Sequence, residues 1–230
     1  MDRLPAWATL ARRGRPSGAA IRAYAGRLAT LMLGLFVFSF GITMTLGSGL
    51  GLSPWDVLHQ GLSRHTSLTF GQAGIVVSAL VILASLLVRL LPGVATVCNM
   101  LFVGLFIDAI LASPFALDAR RGSLVERALL DLGGIAVVGL GSALYIKAAL
   151  GAGPRDSLML ALSRMSGLRV GLVRAAIESS ALAIGFLLGG TAGIGTVLFA
   201  LGAGPAVELS FRLIRVPSPN ARRREAAPGA

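Results

Sequence analysis

The chain has 230 residues, of which 55% are hydrophobic and only 13% charged, with a mean hydropathy of +0.80. A soluble domain carries about twice that share of charge, and a disordered chain is more polar still, so both are excluded in favour of a polytopic membrane protein. Lys and Arg number 21 against 10 Asp and Glu, a net charge of +11, gathered at the two ends and at the edges of apolar segments. That is the pattern of loops beside an anionic bilayer, and no basic face interleaved with aromatics points to nucleic acid.

Spanning helices need about 20 largely apolar residues. Residues 1–27 form an Arg-rich segment ahead of the first such run, Leu28 to Leu46. That run and its leader are too long for a cleaved signal peptide, so the segment is read as retained. Five further runs follow: Gly71 to Val88, Val94 to Ala112, Ala128 to Ala148, Gly171 to Leu188 and Gly193 to Leu213. Cys98 lies inside the third run and reads as an inert apolar thiol. Beyond 213 the chain is Pro- and Arg-rich and reads as a disordered tail, 214–230. With both termini inside, 17 of the 21 basic residues fall on the cytoplasmic side and 4 outside, which fixes the orientation in a plasma (inner) membrane.

Sliding the chain on itself by 100 positions reveals a repeat. Leu50, Gly51, Pro54, Asp56, Leu58, Leu62, Ser63 and Arg64 recur at the same spacing from Leu150 to Arg164, 8 identities in 15 positions without a gap. Gly41, Gly71, Gly93, Thr96, Val97 and Gly104 keep the register, and Asp108 meets Glu208. Each half, 28–113 and 128–213, carries three spans. An odd number makes the second half enter from the opposite side, so the expected fold is all-α, six transmembrane helices as two inverted three-helix repeats. The charges agree: 47–70 holds one basic residue and 147–170 holds four.

Between the first and second spans of each half lies a short amphipathic stretch. Ser53 reads as an N-cap, Pro54 as the first helical residue and Asp56 as the carboxylate facing the helix dipole, with a helix through Arg64. It is too short to span and too apolar for an aqueous loop, so it is interfacial or re-entrant. Asp56, His59, Ser63 and Arg64 share one face, and Asp156, Ser163 and Arg164 repeat it. One reading is capping plus an interfacial arginine; the other is a paired helix-terminus site for a polar or anionic ligand. His59 and His65 face Met159 and Met165 across the repeat and read as incidental rather than as metal ligands.

The run GLGLSPWDVLHQGLS at 49–63 resembles the signature of the YczE/YyaS/YitT group of bacterial integral membrane proteins, closest to its YczE-like branch. The stretches at 151–178 and 188–196 are similar to that branch too, so the resemblance runs from about Leu28 to Leu213. It implies a transporter-like outline and no catalytic residues. Arg155, Asp156, Arg174 and Glu178 match the pattern, whereas the first half has Trp55 and Ser78 where the second has Arg155 and Glu178. A charge-based site would therefore be asymmetric.

Arg174 and Glu178 are four apart in the fifth span and can pair, or act as a gate or solute contact. Asp108 and Glu208 hold equivalent span ends, either as surface carboxylates or as coupling sites. Gly189, Gly190, Gly193 and Gly195 read as a tight turn with close packing, without the Lys of a phosphate loop. No motif of a membrane enzyme, no metal cluster and no cofactor site is legible. The expectation is a secondary transporter or exporter of a small polar or anionic solute, with Asp56, Arg64, Arg155, Asp156 and Arg164 lining its site. The alternative is a non-transporting accessory or scaffold protein. Expected partners are membrane lipids, that solute and a second copy of the chain as a homodimer.

Overall fold

The computed structural model describes residues 18–214 except Arg89 and Ala152; the reading of 1–17, of Arg89 and of 215–230 lies outside the described residues. Among the described residues the chain is all-helical. Its elements are α1 (Gly18–Ser48), α2 (Pro54–His65), α3 (Phe70–Leu87), α4 (Val94–Leu111), α5 (Leu124–Lys147), α6 (Pro154–Ser166), α7 (Val170–Leu187) and α8 (Ile194–Leu213). Six of them are long and apolar enough to cross a membrane, and α2 and α6 are the two short ones. The order long, short, long, long therefore occurs twice. From the first described residue, Gly18, α1 already runs helical ahead of the apolar run that starts at Leu28, because Ala- and Arg-rich sequence continues a helix even where hydropathy falls.

Local sequence accounts for the helix starts. The Ser53 hydroxyl accepts from the Asp56 amide, and Pro54 occupies the first turn of α2. Thr69 and Gln72 form a capping box on α3, as Ser123 and Glu126 do on α5. At the other end of the molecule's first helix, Gly49 (φ 63°) turns the chain; its counterpart is Ala149, at φ 52° in the same left-handed region.

α1 packs along α5 at the centre. A Cβ on Gly34 would lie 2.5 Å from the Tyr145 nitrogen and one on Gly134 2.8 Å from Thr45 Cγ2. Likewise Gly41 abuts Val138 and Gly141 abuts Phe38. In each pair the partners exchange places under the 100-residue offset. The same reciprocity joins the loops to the far helices: Gly195 donates to Leu50 O at 3.0 Å, and Ala95 donates to Leu150 O at 3.1 Å. Arg127 donates to Ser48 O (2.9 Å) and Gly49 O (2.7 Å), while Arg27 donates to Ala148 O (2.8 Å) and Ala149 O. Each arginine thus satisfies carbonyls left open at the end of the other half's first helix.

The outer helices pair equivalently in the two halves, two of the contacts lying within a half and two crossing between halves. α4 packs on α1 and α8 on α5, while α2 packs on α7 and α6 on α3. α2 is enclosed by protein, with Trp55, Asp56, Val57, His59 and Gly61 all buried. Its leading loop is buried as well, at Leu50, Leu52 and Ser53. Non-helical backbone at this depth is tolerable only when protein covers it. The outer faces of the long helices carry bare leucines, such as Leu80, Leu87, Leu129, Leu187 and Leu201, each more than half exposed. A ring of uncovered apolar side chains of this extent is suited to lipid, not water.

Candidate functional site

A cavity of about 520 Å³ lies between the two halves, walled by all eight helices. That is the size range of small-molecule sites. The N-terminal turns of α2 and α6 enter it from either side and bring in Trp55, Asp56, Arg155 and Asp156. α7 adds Arg174 and Glu178.

The polar groups form an ordered chain. The Ser53 hydroxyl donates to one oxygen of the Asp56 carboxylate, and His59 Nδ1 stands 3.3 Å from the other. His59 Nε2 lies 3.3 Å from an Arg155 guanidinium nitrogen, and that guanidinium stacks 4.6 Å above the Trp55 ring. The facing carboxylate favours the proton on Nδ1, which leaves Nε2 to accept from the arginine. Positions 55 and 155 are counterparts in the repeat, and they meet face to face. His59, which sequence alone marks as incidental, is the buried link between Asp56 and Arg155. The spacing from Asp56 to His59 was the available signal; comparison with Met159 obscured it.

Asp156 is placed differently from Asp56. Gly153 occupies the cap position that Ser53 fills, so no hydroxyl reaches the second carboxylate. Asp156 is exposed to the cavity with neither a hydrogen bond nor an ion pair among the described residues. Arg174 and Glu178 pair at 2.8 Å, and the arginine is 59% exposed at the cavity mouth.

Arg64 and Arg164 do not line this cavity. Arg64 donates to Gly189 O and to Thr191 Oγ1 (3.3 Å), tying the end of α2 to the α7–α8 turn. In that turn Gly189 is left-handed (φ 76°), and a Cβ on Gly190 would strike Val57 O, so the glycines there serve turn and packing. Arg164 and His65 are exposed. Asp108 and Glu208 also part company. Asp108 accepts from the Thr69 hydroxyl and from the Gly71 amide (2.8 Å), locking the end of α4 to the start of α3. Glu208 pairs with Arg212 on its own helix at 2.7 Å, largely exposed.

The two halves differ most at that lock. Gly71 and Gly104 are buried against each other, and an added Cβ on either would meet the other's carbonyl. Their counterparts Gly171 and Gly204 are exposed with nothing within 4 Å. α3 packs on α4, but α7 and α8 do not pack along their lengths. The cavity wall is thus closed where α3 meets α4 and gaps where α7 and α8 stand apart. Outside the helices, Asp118 in the α4–α5 loop is held well below the usual carboxylate range by its hydrogen bonds from Arg120. No cluster of three metal-ligating side chains occurs among the described residues.

Residues 25–212 match the model of a family described as Family of unknown function (DUF6198). The chain is 37% identical over 180 residues to the uncharacterized membrane protein YczE of Bacillus subtilis, covering 77% of this chain and 82% of that one. An uncharacterized protein of Haemophilus influenzae is 37% identical over 194 residues, 83% of this chain and 86% of the relative. The uncharacterized protein YyaS of Bacillus subtilis is 28% identical over 170 residues, 72% of this chain and 83% of its own. No solved structure matches. The likeness to a membrane protein and the six apolar helices agree: this is a multi-pass membrane protein.

Proposed function

The chain belongs to the Family of unknown function (DUF6198), and from the geometry of its central cavity we propose that it is a secondary transporter of a small polar solute, working by alternating access. The observation that carries this reading is the unequal closure of equivalent helix pairs around one cavity. Reciprocal contacts across the offset of 100 support two halves related by a two-fold axis in the membrane plane. Such halves can exchange the state described here for its mirror, with the roles of α3–α4 and α7–α8 reversed. Exchange between them moves the cavity mouth from one side of the membrane to the other.

The charge bias of the loops places both termini in the cytoplasm of a plasma membrane, so the open α7–α8 side faces inward. Asp56, Arg155 and Asp156 contact the solute, Arg174 and Glu178 guard its entrance, and Asp108 and Glu208 alternate as latches. The chain performs no covalent chemistry in this reading.

Cysteine cross-linking in native membranes tests the reading without knowledge of the solute. In a Cys98→Ser background, Thr69→Cys with Asp108→Cys links in the state described here. Arg169→Cys with Glu208→Cys links only in the mirror state. Both pairs are expected to cross-link in part of the population. Complete linking of the first pair, with none of the second in well-folded protein, would leave a static scaffold and end the transporter reading.

A further inference from the structure

Besides the Tyr145 phenol, six acidic, basic or imidazole side chains line the cavity: Asp56, His59, Arg155, Asp156, Arg174 and Glu178. Four are already engaged with one another. His59 and Ser53 hold Asp56, and Arg174 pairs with Glu178. Two remain. Arg155 has no carboxylate within ion-pair distance among the described residues, Asp56 and Asp156 attracting it from farther off; Trp55 and His59 touch its guanidinium. Asp156, the next residue, has neither a hydrogen bond nor an ion pair among the described residues, because Gly153 supplies no capping hydroxyl; Arg155 and Arg174 attract it from beyond ion-pair distance. Charges left single in a low-dielectric site are costly, and the cost is recovered when a ligand supplies the missing counter-charge. One unpaired cation and one unpaired anion call for a ligand that bears both signs.

We infer that the solute is a small zwitterion, an α-amino acid with an apolar side chain: its carboxylate meets Arg155, its ammonium meets Asp156, and its side chain occupies the apolar part of the cavity. This rests on the transporter reading of the same cavity. The Ser53–Asp56–His59 chain holds the guanidinium against Trp55 before the solute arrives, so little ordering remains to be done on binding. Phe70 and Phe199 line the cavity beside these groups and offer apolar surface. A purely anionic solute would leave Asp156 unneutralised, and a purely cationic one would leave Arg155 so.

The test is a thermal-stability titration of the full chain in detergent, with leucine and phenylalanine against analogues lacking one charge: isocaproate and isoamylamine, hydrocinnamate and phenethylamine. At least one amino acid is expected to raise the melting midpoint saturably, and neither of its single-charge analogues at the same concentration. Asp156→Asn should weaken the amino acid about thirtyfold or more while admitting the acid analogue, and Arg155→Gln should do the converse for the amine. A merely structural role for either residue would not exchange selectivity in this way. Equal response to the acid and the amino acid would make this an anion site and overturn the assignment, as would no response to any of the six compounds. Binding without flux of the labelled amino acid into proteoliposomes would keep the site and reject transport.

Discussion

Ala149 illustrates how single residues carry strain here. It turns the chain after α5 at φ 52°, where the first half uses Gly49. A left-handed alanine costs about 1–2 kcal/mol, whereas glycine pays only its greater freedom in the unfolded chain. Ala149→Gly should therefore stabilise the protein by about 1 kcal/mol, a rise of about 2–4 °C in the melting midpoint measured in detergent. The residue scale is also where sequence was least informative. The spacing of Ser53, Pro54 and Asp56 announced its own cap, because those contacts are local. His59 and Arg64 have partners on other helices, Arg155 and the α7–α8 turn, that no local spacing encodes. The absence of a capping side chain at Gly153 was visible in the sequence, but its effect on Asp156 emerges only with the cavity in view.

At the scale of elements, the arginine clamps bind helix ends across the two halves. Arg127 spans two adjacent carbonyls, at Ser48 and Gly49, with its planar fork. Arg127→Met should cost about 2 kcal/mol, the range for hydrogen bonds to a charged donor, read as a lowered midpoint. Arg127→Lys should recover less than half, since an ammonium cannot span both oxygens. The six apolar runs and the two short helices were legible because lipid demands long uninterrupted hydropathy and because Pro and Ser mark a start. The Arg27–Arg127 correspondence lay in the same register as the repeat. Two arginines in basic flanks look like generic positive charge, so spacing alone does not single them out.

For the whole molecule, the sealed and open sides make opposite demands on equivalent glycines. A methyl at Gly71 would strike the Gly104 carbonyl in the state described here, while one at Gly171 would meet nothing. Gly71→Ala should therefore favour the mirror state, and Gly171→Ala should deepen the present one. Labelling of cysteines placed along the cavity by membrane-impermeant reagents would report this as accessibility shifted in opposite directions. Equal accessibility in both variants would mean that these contacts do not set the balance between states. The recurring order of long and short helices was legible from matching residues at one fixed offset. Which copy is shut was not, because a glycine at 71 and at 171 carries no record of the partner each has found, and the flanking differences, Thr69 against Arg169 and Gln72 against Leu172, take their meaning only from the contacts they make.

Trp55 and Arg155 have one more consequence. In the proposed two-fold arrangement, residues that correspond by duplication and also touch straddle the line about which the halves are related. Anything lodged beside them lies on that line, so the molecule offers one seat and not two. An indole on one flank and a guanidinium on the other give the occupant a head and a tail. Calorimetry should accordingly find a stoichiometry of one per chain, with a single fixed polarity for every passenger.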